Sequence, residues 1–181
     1  MKKILVIVDE QIDFTAGVLG NAECKATIPN VVDLVNSKDF DEIYMTRDTH
    51  NDNYLNTQEG RNLPVEHCIE NTDGWNICEE IMTTVSHNYK TPNIHIVDKY
   101  TFGSLYLANL LRDRYCIDQE EVEITLCGVC TGICVISNAL LIKAALPESK
   151  ISVVEKACAC VTPESHKTAI DAMRMCQINI I

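Results

Sequence analysis

The sequence of 181 residues is short of basic side chains: 15 Lys and Arg face 26 Asp and Glu, a formal net charge of −11 with histidine neutral. A nucleic-acid partner is therefore not expected, because phosphate binding needs a basic face. No apolar run approaches the ~20 residues of a membrane span, so no membrane partner is expected either. The start is Met1-Lys2-Lys3 followed by the five apolar residues Ile4–Val8 and then Asp9, an apolar stretch too short for a secretory signal. Internal repeats, low-complexity tracts and linkers are missing. What is there is ordinary globular material, 46% hydrophobic and 23% charged. That excludes a disordered tail and predicts one domain over residues 1–181 with a sizeable core.

Cysteine is the exception, with ten residues at 24, 68, 78, 116, 127, 130, 134, 158, 160 and 176. A disulfide framework suits small secreted chains with poor cores, which this chain is not. Free cysteine packs as a small hydrophobe, so most of the ten read as packing residues in a reducing, cytoplasmic compartment. Cys127 and Cys130 form a C-x2-C, but the second pair that a zinc site needs is missing.

Apolar, β-rich runs recur at Ile4–Val8, Ile43–Thr46, Ile94–Val97, Val122–Cys127 and Ile151–Val154, with a sixth at Ile178–Ile181. Helical patterns lie between most of them, near Asn30–Val35, Leu105–Tyr115, Thr131–Ala145 and Pro163–Met175. Continuous apolar strands alternating with helices predict an α/β fold: three layers, with a doubly wound, mostly parallel sheet of five or six strands. Thr162 and Pro163 fit the N-cap and first turn of the last helix. The segment from Asp48 to about Asp73 is non-periodic and long enough to be functional.

Ligands of such sheets bind beyond the carboxyl ends of the strands. Asp9, Gln11, Asp13 and Phe14 follow the first run, Asp48 and His50 the second, Asp98 and Lys99 the third, and Cys127 to Cys134 the fourth. Cys134 falls in the first turn of a helix, where unpaired N–H groups favour a thiolate, although it also reads as a core cysteine. Asp9 is either a buried structural acid or a general base. Lys99 is either a solvated lysine or a cation facing both. Asp48 and His50 project to the same side of an extended segment and, with Glu59 and His67, make a set suited to Zn²⁺, Fe²⁺ or Mn²⁺, although D-x-H pairs are common. His87, His95 and His166 show no such grouping. Phe14, Leu19, Tyr100 and Tyr106 are pocket-lining candidates or simple core.

Together these residues resemble the isochorismatase-like cysteine hydrolases, nicotinamidases in particular, over nearly the whole chain and in the same order. Asp9-Glu-Gln11-Ile-Asp13-Phe14 resembles the opening D-x-Q-x-D-F, whose first Asp is catalytic. Asp98-Lys99 matches the segment with the catalytic lysine, and Gly128-Val-Cys130-Thr131-Gly-Ile-Cys134-Val the segment ending in the nucleophile. The resemblance implies catalytic Asp9, Lys99 and Cys134, a cis peptide between Val129 and Cys130, and an oxyanion hole from the Cys130 and Cys134 amides. It implies metal ligands at Asp48, His50 and His67, the last within Leu63-Pro64-Val65-Glu66-His67-Cys68. Glu59 stands in for a further family histidine. Ala159 to His166 fits the family's late strand-to-helix region. Gly132 departs from the pattern, since the family often has Asp there.

The implied fold is the isochorismatase-like hydrolase fold. The implied activity is hydrolysis of a small amide through a Cys134 thioester, with a divalent metal, Zn²⁺ foremost, orienting the substrate ring. A homo-oligomer is implied as well. Two other readings stay open. A related amidohydrolase for another small amide or carbamoyl substrate would use the same residues. A non-catalytic redox or metal module would use Cys127, Cys130 and Cys134, and leaves Asp9 and Lys99 unexplained.

Overall fold

The computed structural model describes residues 1–116 and 121–181, and the side chain of Cys116 lies outside the described set. Its centre is the apolar run Ile4–Val8, completely buried. That run makes up most of β1 (Lys2–Val8), which joins β2 (Glu42–Asp48), β3 (Ile94–Lys99), β4 (Val122–Val129), β5 (Lys150–Ala159) and β6 (Asn179–Ile180) in a six-stranded sheet. All pairings are parallel and the order is β3-β2-β1-β4-β5-β6. The chain therefore runs outward from β1 to β3, returns to the middle at β4, and runs outward the other way. The reversal between β1 and β4 leaves a crevice at their carboxyl ends, where doubly wound sheets place their ligands.

The helices are α1 (Ile12–Thr15), α2 (Ala22–Lys25), α3 (Ile28–Ser37), α4 (Gln58–Asn62), α5 (Glu79–Asn88), α6 (Leu105–Cys116), α7 (Ile136–Ala145) and α8 (Pro163–Met175). α3 packs on α5, while α6 packs on α7 and α7 on α8. Right-handed crossovers running in opposite directions from β1 and β4 put these two groups on opposite faces of the sheet, giving three layers. α8 starts as its sequence predicts: Thr162 and Ser165 form a reciprocal capping box with Pro163 in the first turn.

The structure departs from the hydrophobic pattern in five places. β2 and β3 run past their apolar runs, because Arg47 pairs with Asp98 (Nε–Oδ1 2.6 Å) and Asp48 stands in register with Lys99. Both residues are strand ends rather than loop residues. β5 extends to Ala159 through a register shift against β4. The expected helix over Thr131–Ala145 begins as a π-helical turn, Thr131–Val135, before α7. The segment after Asp48 carries a 3₁₀ turn (Tyr54–Asn56) and α4. Finally, α5 was not visible as a pattern: it buries only Ile81 and Val85, and its Thr83, Thr84 and Val85 are weak helix formers.

Gly128 lets the two central strands close. It pairs with Val8, has φ +118°, and a Cβ there would lie 2.1 Å from the Val8 carbonyl oxygen. No other residue type fits that contact.

Candidate active site

Asp9 leaves the end of β1 with φ 50°, a conformation that a non-glycine residue holds only when its surroundings fix it. Thr46 of β2 fixes it here, since its hydroxyl donates to Asp9 Oδ1 (2.6 Å) and accepts from the Asp9 amide (3.2 Å). Lys99 Nζ lies 2.7 Å from Asp9 Oδ2, 3.1 Å from Asp48 Oδ1 and 3.6 Å from Cys134 Sγ. Asp9, Lys99 and Cys134 are all buried. The strand-end residues singled out in the sequence thus meet at one point.

Burial raises the Asp9 carboxyl above its usual range, and the Lys99 charge opposes that without cancelling it. Lys99 moves the other way. Burial favours its neutral form, but Asp9, Cys134 and Asp48 outweigh this and keep it an ammonium. Cys134 is pushed well up by burial, then by the Asp9 charge and its hydrogen bond to Asp9, against the pull of Lys99. The helix start does not by itself produce a thiolate.

The Cys130 carbonyl accepts from the amides of Ile133 and Val135, each at 3.1 Å, whereas the Cys134 amide between them makes no such bond. The Val129–Cys130 peptide is cis. Asn138, fully buried on α7, donates to the Cys134 and Phe102 carbonyls (2.8 and 3.2 Å) and accepts from the Ser104 amide (2.9 Å). It ties the turn that carries Cys134 to the segment that follows Lys99. His166 contributes from α8, its Nδ1 lying 2.8 Å from the Thr131 hydroxyl.

Asp48, His50, Glu59 and His67 form a second cluster, with one ligand atom from each lying within 4.8 Å of the others. His50 Nε2 is 3.0 Å from Asp48 Oδ2, and His67 Nε2 is 3.7 Å from that oxygen and 3.8 Å from Glu59 Oε1. His67 Nδ1 sits 2.8 Å from the Val65 carbonyl, so Nε2 faces the cluster. Burial would raise Asp48, but hydrogen bonds from His50 and His67 and the Lys99 charge hold it well below the carboxylate range. Two imidazoles and two carboxylates at this spacing fit a borderline divalent ion. Gln11 braces the cluster from below, donating to the Asp48 and Trp75 carbonyls (2.9 and 2.8 Å) and accepting from the Asp48 amide (2.7 Å).

Both clusters open on one cavity of about 300 Å³. Phe14, Leu19, Asp48, Glu59, His67, Cys130 and Cys134 line it, together with Asn21, Leu63, Phe102, Ile133 and Val161, which the sequence did not single out. Tyr100 belongs to an adjoining outer cavity with His50 and Gln58. Tyr106 lines neither cavity and is 66% exposed on α6, a correction to its expected place in the pocket. Phe102 takes the position that Tyr100 and Tyr106 were expected to fill. Cys24, Cys68, Cys78, Cys127, Cys158 and Cys160 are buried as expected, but Cys176 is exposed after α8, and Cys116 falls outside the described side chains.

Fold and site define an α/β protein that gathers a carboxylate, a lysine and a cysteine at the switch point of a parallel sheet, beside a carboxylate–histidine cluster. Its sequence matches the isochorismatase domain family over residues 3–181, and the chain belongs to that family. It is 26% identical over 180 residues to the uncharacterized isochorismatase family protein PncA of Bacillus subtilis, covering 94% of this chain and 93% of that one. Among solved structures it is similar to nicotinamidase/pyrazinamidase PncA from Bacillus subtilis, at 23% identity and TM-score 0.84 over 99% of each chain. It is similar also to the pyrazinamidase of Pyrococcus horikoshii in complex with zinc, at 23% identity and TM-score 0.77 over 100% of this chain and 99% of that one. At these identities the structural likeness establishes the shared fold.

Proposed function

We propose that the protein is a cysteine amidohydrolase of nicotinamidase type, turning nicotinamide into nicotinate and ammonia through a thioester on Cys134. The observation that carries this reading is the meeting of Asp9, Lys99 and Cys134, with Lys99 Nζ 2.7 Å from Asp9 and 3.6 Å from Cys134, behind a cavity that Cys134 lines together with Asp48 and His67. The two relatives with solved structures are named nicotinamidase/pyrazinamidase and pyrazinamidase, which supports a small aromatic amide as substrate.

Asp9 accepts the Cys134 proton as sulfur attacks the carboxamide carbon, and Lys99 offsets the charge that appears on sulfur. The Cys130 and Cys134 amides face the developing oxyanion, a contribution of about 3–4 kcal/mol per donor. Asp9 then hands its proton to the departing ammonia and takes one from the water that cleaves the thioester. Phe14, Leu19, Phe102 and Ile133 enclose the ring and exclude water. Asp48, His50, Glu59 and His67 would hold a divalent ion, Zn²⁺ foremost and Fe²⁺ or Mn²⁺ as the other choices, which supplies a Lewis-acid contact for the ring nitrogen. The zinc complex of the Pyrococcus relative supports that choice. A reducing cytoplasm is the setting proposed, since Cys134 works as a free thiol.

The test is ammonia release from nicotinamide and from a panel of small amides and carbamoyl compounds, with and without added zinc. Nicotinamide turning over fastest is the expected result. A carbamoyl compound turning over in its place, with nicotinamide inert, would move the substrate to the alternative class.

A further inference from the structure

The turn Thr131–Val135, which carries Cys134, is held from within by few bonds. The Cys130 carbonyl accepts from the Ile133 and Val135 amides, and the Ile136 amide reaches back to the Thr131 and Ile133 carbonyls. A π-helical turn is a rare geometry that occurs mostly at functional sites. Two side chains outside this one fasten it. Asn138 donates to the Cys134 carbonyl at 2.8 Å. The second fastening is His166, whose Nδ1 lies 2.8 Å from the Thr131 hydroxyl.

Thr131 is completely buried, and among the described residues its hydroxyl has no other partner. A buried hydroxyl stripped of its one partner bears its full desolvation cost. The helix that presents His166 is itself well fixed, since α8 starts in a capping box and buries Ala169, Ile170 and Met173. It abuts the turn again one residue further on. A Cβ on Gly132 would lie 3.5 Å from the Ser165 carbonyl oxygen and 3.6 Å from the Ala169 methyl. His166 itself is half-buried and does not line the substrate cavity; it borders a separate cavity of about 280 Å³ with Cys160 and Thr162.

We propose that His166 is a positioning residue for amide hydrolysis. Through the Thr131 hydroxyl it fixes the turn against α8, and so sets the direction in which the Cys130 and Cys134 amides meet the oxyanion. It touches neither substrate nor the reacting sulfur. This role rests on the amidohydrolase reading, because the oxyanion belongs to that reaction. The oxyanion appears only as sulfur attacks, so donors that lose their aim lower kcat and leave KM in place. The cavity walls formed by Phe14, Leu19, Asp48 and His67 come from other segments, which keeps ground-state binding separate from the turn.

The experiment compares native protein with His166→Ala, His166→Asn, Thr131→Val and the double variant of His166→Ala and Thr131→Val. It measures steady-state amide hydrolysis, and hydrogen–deuterium exchange in the peptide from Gly128 to Asn138. Asparagine carries a donor and an acceptor on Cγ, where histidine carries Nδ1, and so remakes the bond in either direction. His166→Ala should lower kcat about 10- to 100-fold with KM within about twofold, and speed exchange in the turn about tenfold. His166→Asn should recover most of both. The double variant should lose no more than Thr131→Val, since one bond is lost once. The proposal is overturned by a native kcat in His166→Ala, by losses that multiply in the double variant, or by a loss that falls on KM. Where Thr131→Val does not fold, the two His166 variants decide, and an equal kcat in both overturns it. If the native protein hydrolyses no amide, the functional reading falls, and exchange still reads the fastening: equal rates in native protein and His166→Ala remove it.

Discussion

Asp9 and Glu10 are adjacent in sequence and both buried, yet their surroundings treat them differently. Asp9 has Lys99 and Thr46. Glu10 has one partner, the Thr27 hydroxyl at 2.8 Å, and among the described residues its Oε2 has none. Burial raises the Glu10 carboxyl from the usual 4.5 to about 8, against the pull of the Thr27 bond. The native state therefore holds a proton that the unfolded chain releases. Stability is full below pH 4.5 and drains away as pH rises towards 8, at up to about 1.4 kcal/mol per unit. Glu10→Gln should reduce that slope, so that between pH 5 and pH 8.5 the native protein loses a few kcal/mol more stability, read from urea unfolding, than the variant does. Parallel slopes in the two proteins would place the pH dependence elsewhere. The contrast bears on the site as well, since a buried acid with a lysine beside it is a usable base and one without is a stored cost. Position in sequence showed that an acid follows β1, but not which of the two acids has the lysine.

At the scale of elements, what the sequence made legible is the placement of chemistry after apolar strands. Ile4–Val8 and the β4 run mark the two central strands, and the residues that follow them are those that meet. The D-x-H pair and the histidine at 67 were readable in the same way, because metal-ligand spacing is local. The framework was not. Asn138 and Gln11 look like ordinary polar residues until folding brings the backbone groups they satisfy from segments far away in sequence. Tyr106 pointed outward because its turn of α6 faces solvent, a rotation that the weak apolar pattern of that helix did not fix. Gly128 is the most constrained point of this framework. Gly128→Ala places a methyl against the Val8 carbonyl and forces an unfavourable φ, so it should cost about 3 kcal/mol or more and reduce the yield of folded protein. Gly132→Ala, whose Cβ has nothing closer than 3.3 Å, is the control and should cost far less in the same thermal melts.

At the scale of the whole molecule, the two halves of the sheet carry different parts of the site. β1, β2 and β3 and the segment after β2 bring Asp9, the carboxylate–histidine cluster and Lys99, while β4 leads into the turn that carries Cys134. A ligand bound at the cluster therefore braces one half against the cavity, and it stabilises by mass action: about 2.7 kcal/mol at a hundred times its dissociation constant. For a chain of this size that is a rise of roughly 5–10 °C in Tm. Zinc added after chelation should raise the Tm of the native protein by that order and leave His67→Ala unmoved. An equal rise in the variant would remove the cluster from the account. The central claim rests on one sulfur, and the most direct measurement is ammonia release from nicotinamide by native protein and by Cys134→Ala, with a thermal melt of each. The account predicts matching folded melts and activity lower by about 10⁴-fold or more in the variant. A folded Cys134→Ala that releases ammonia at the native rate would contradict it.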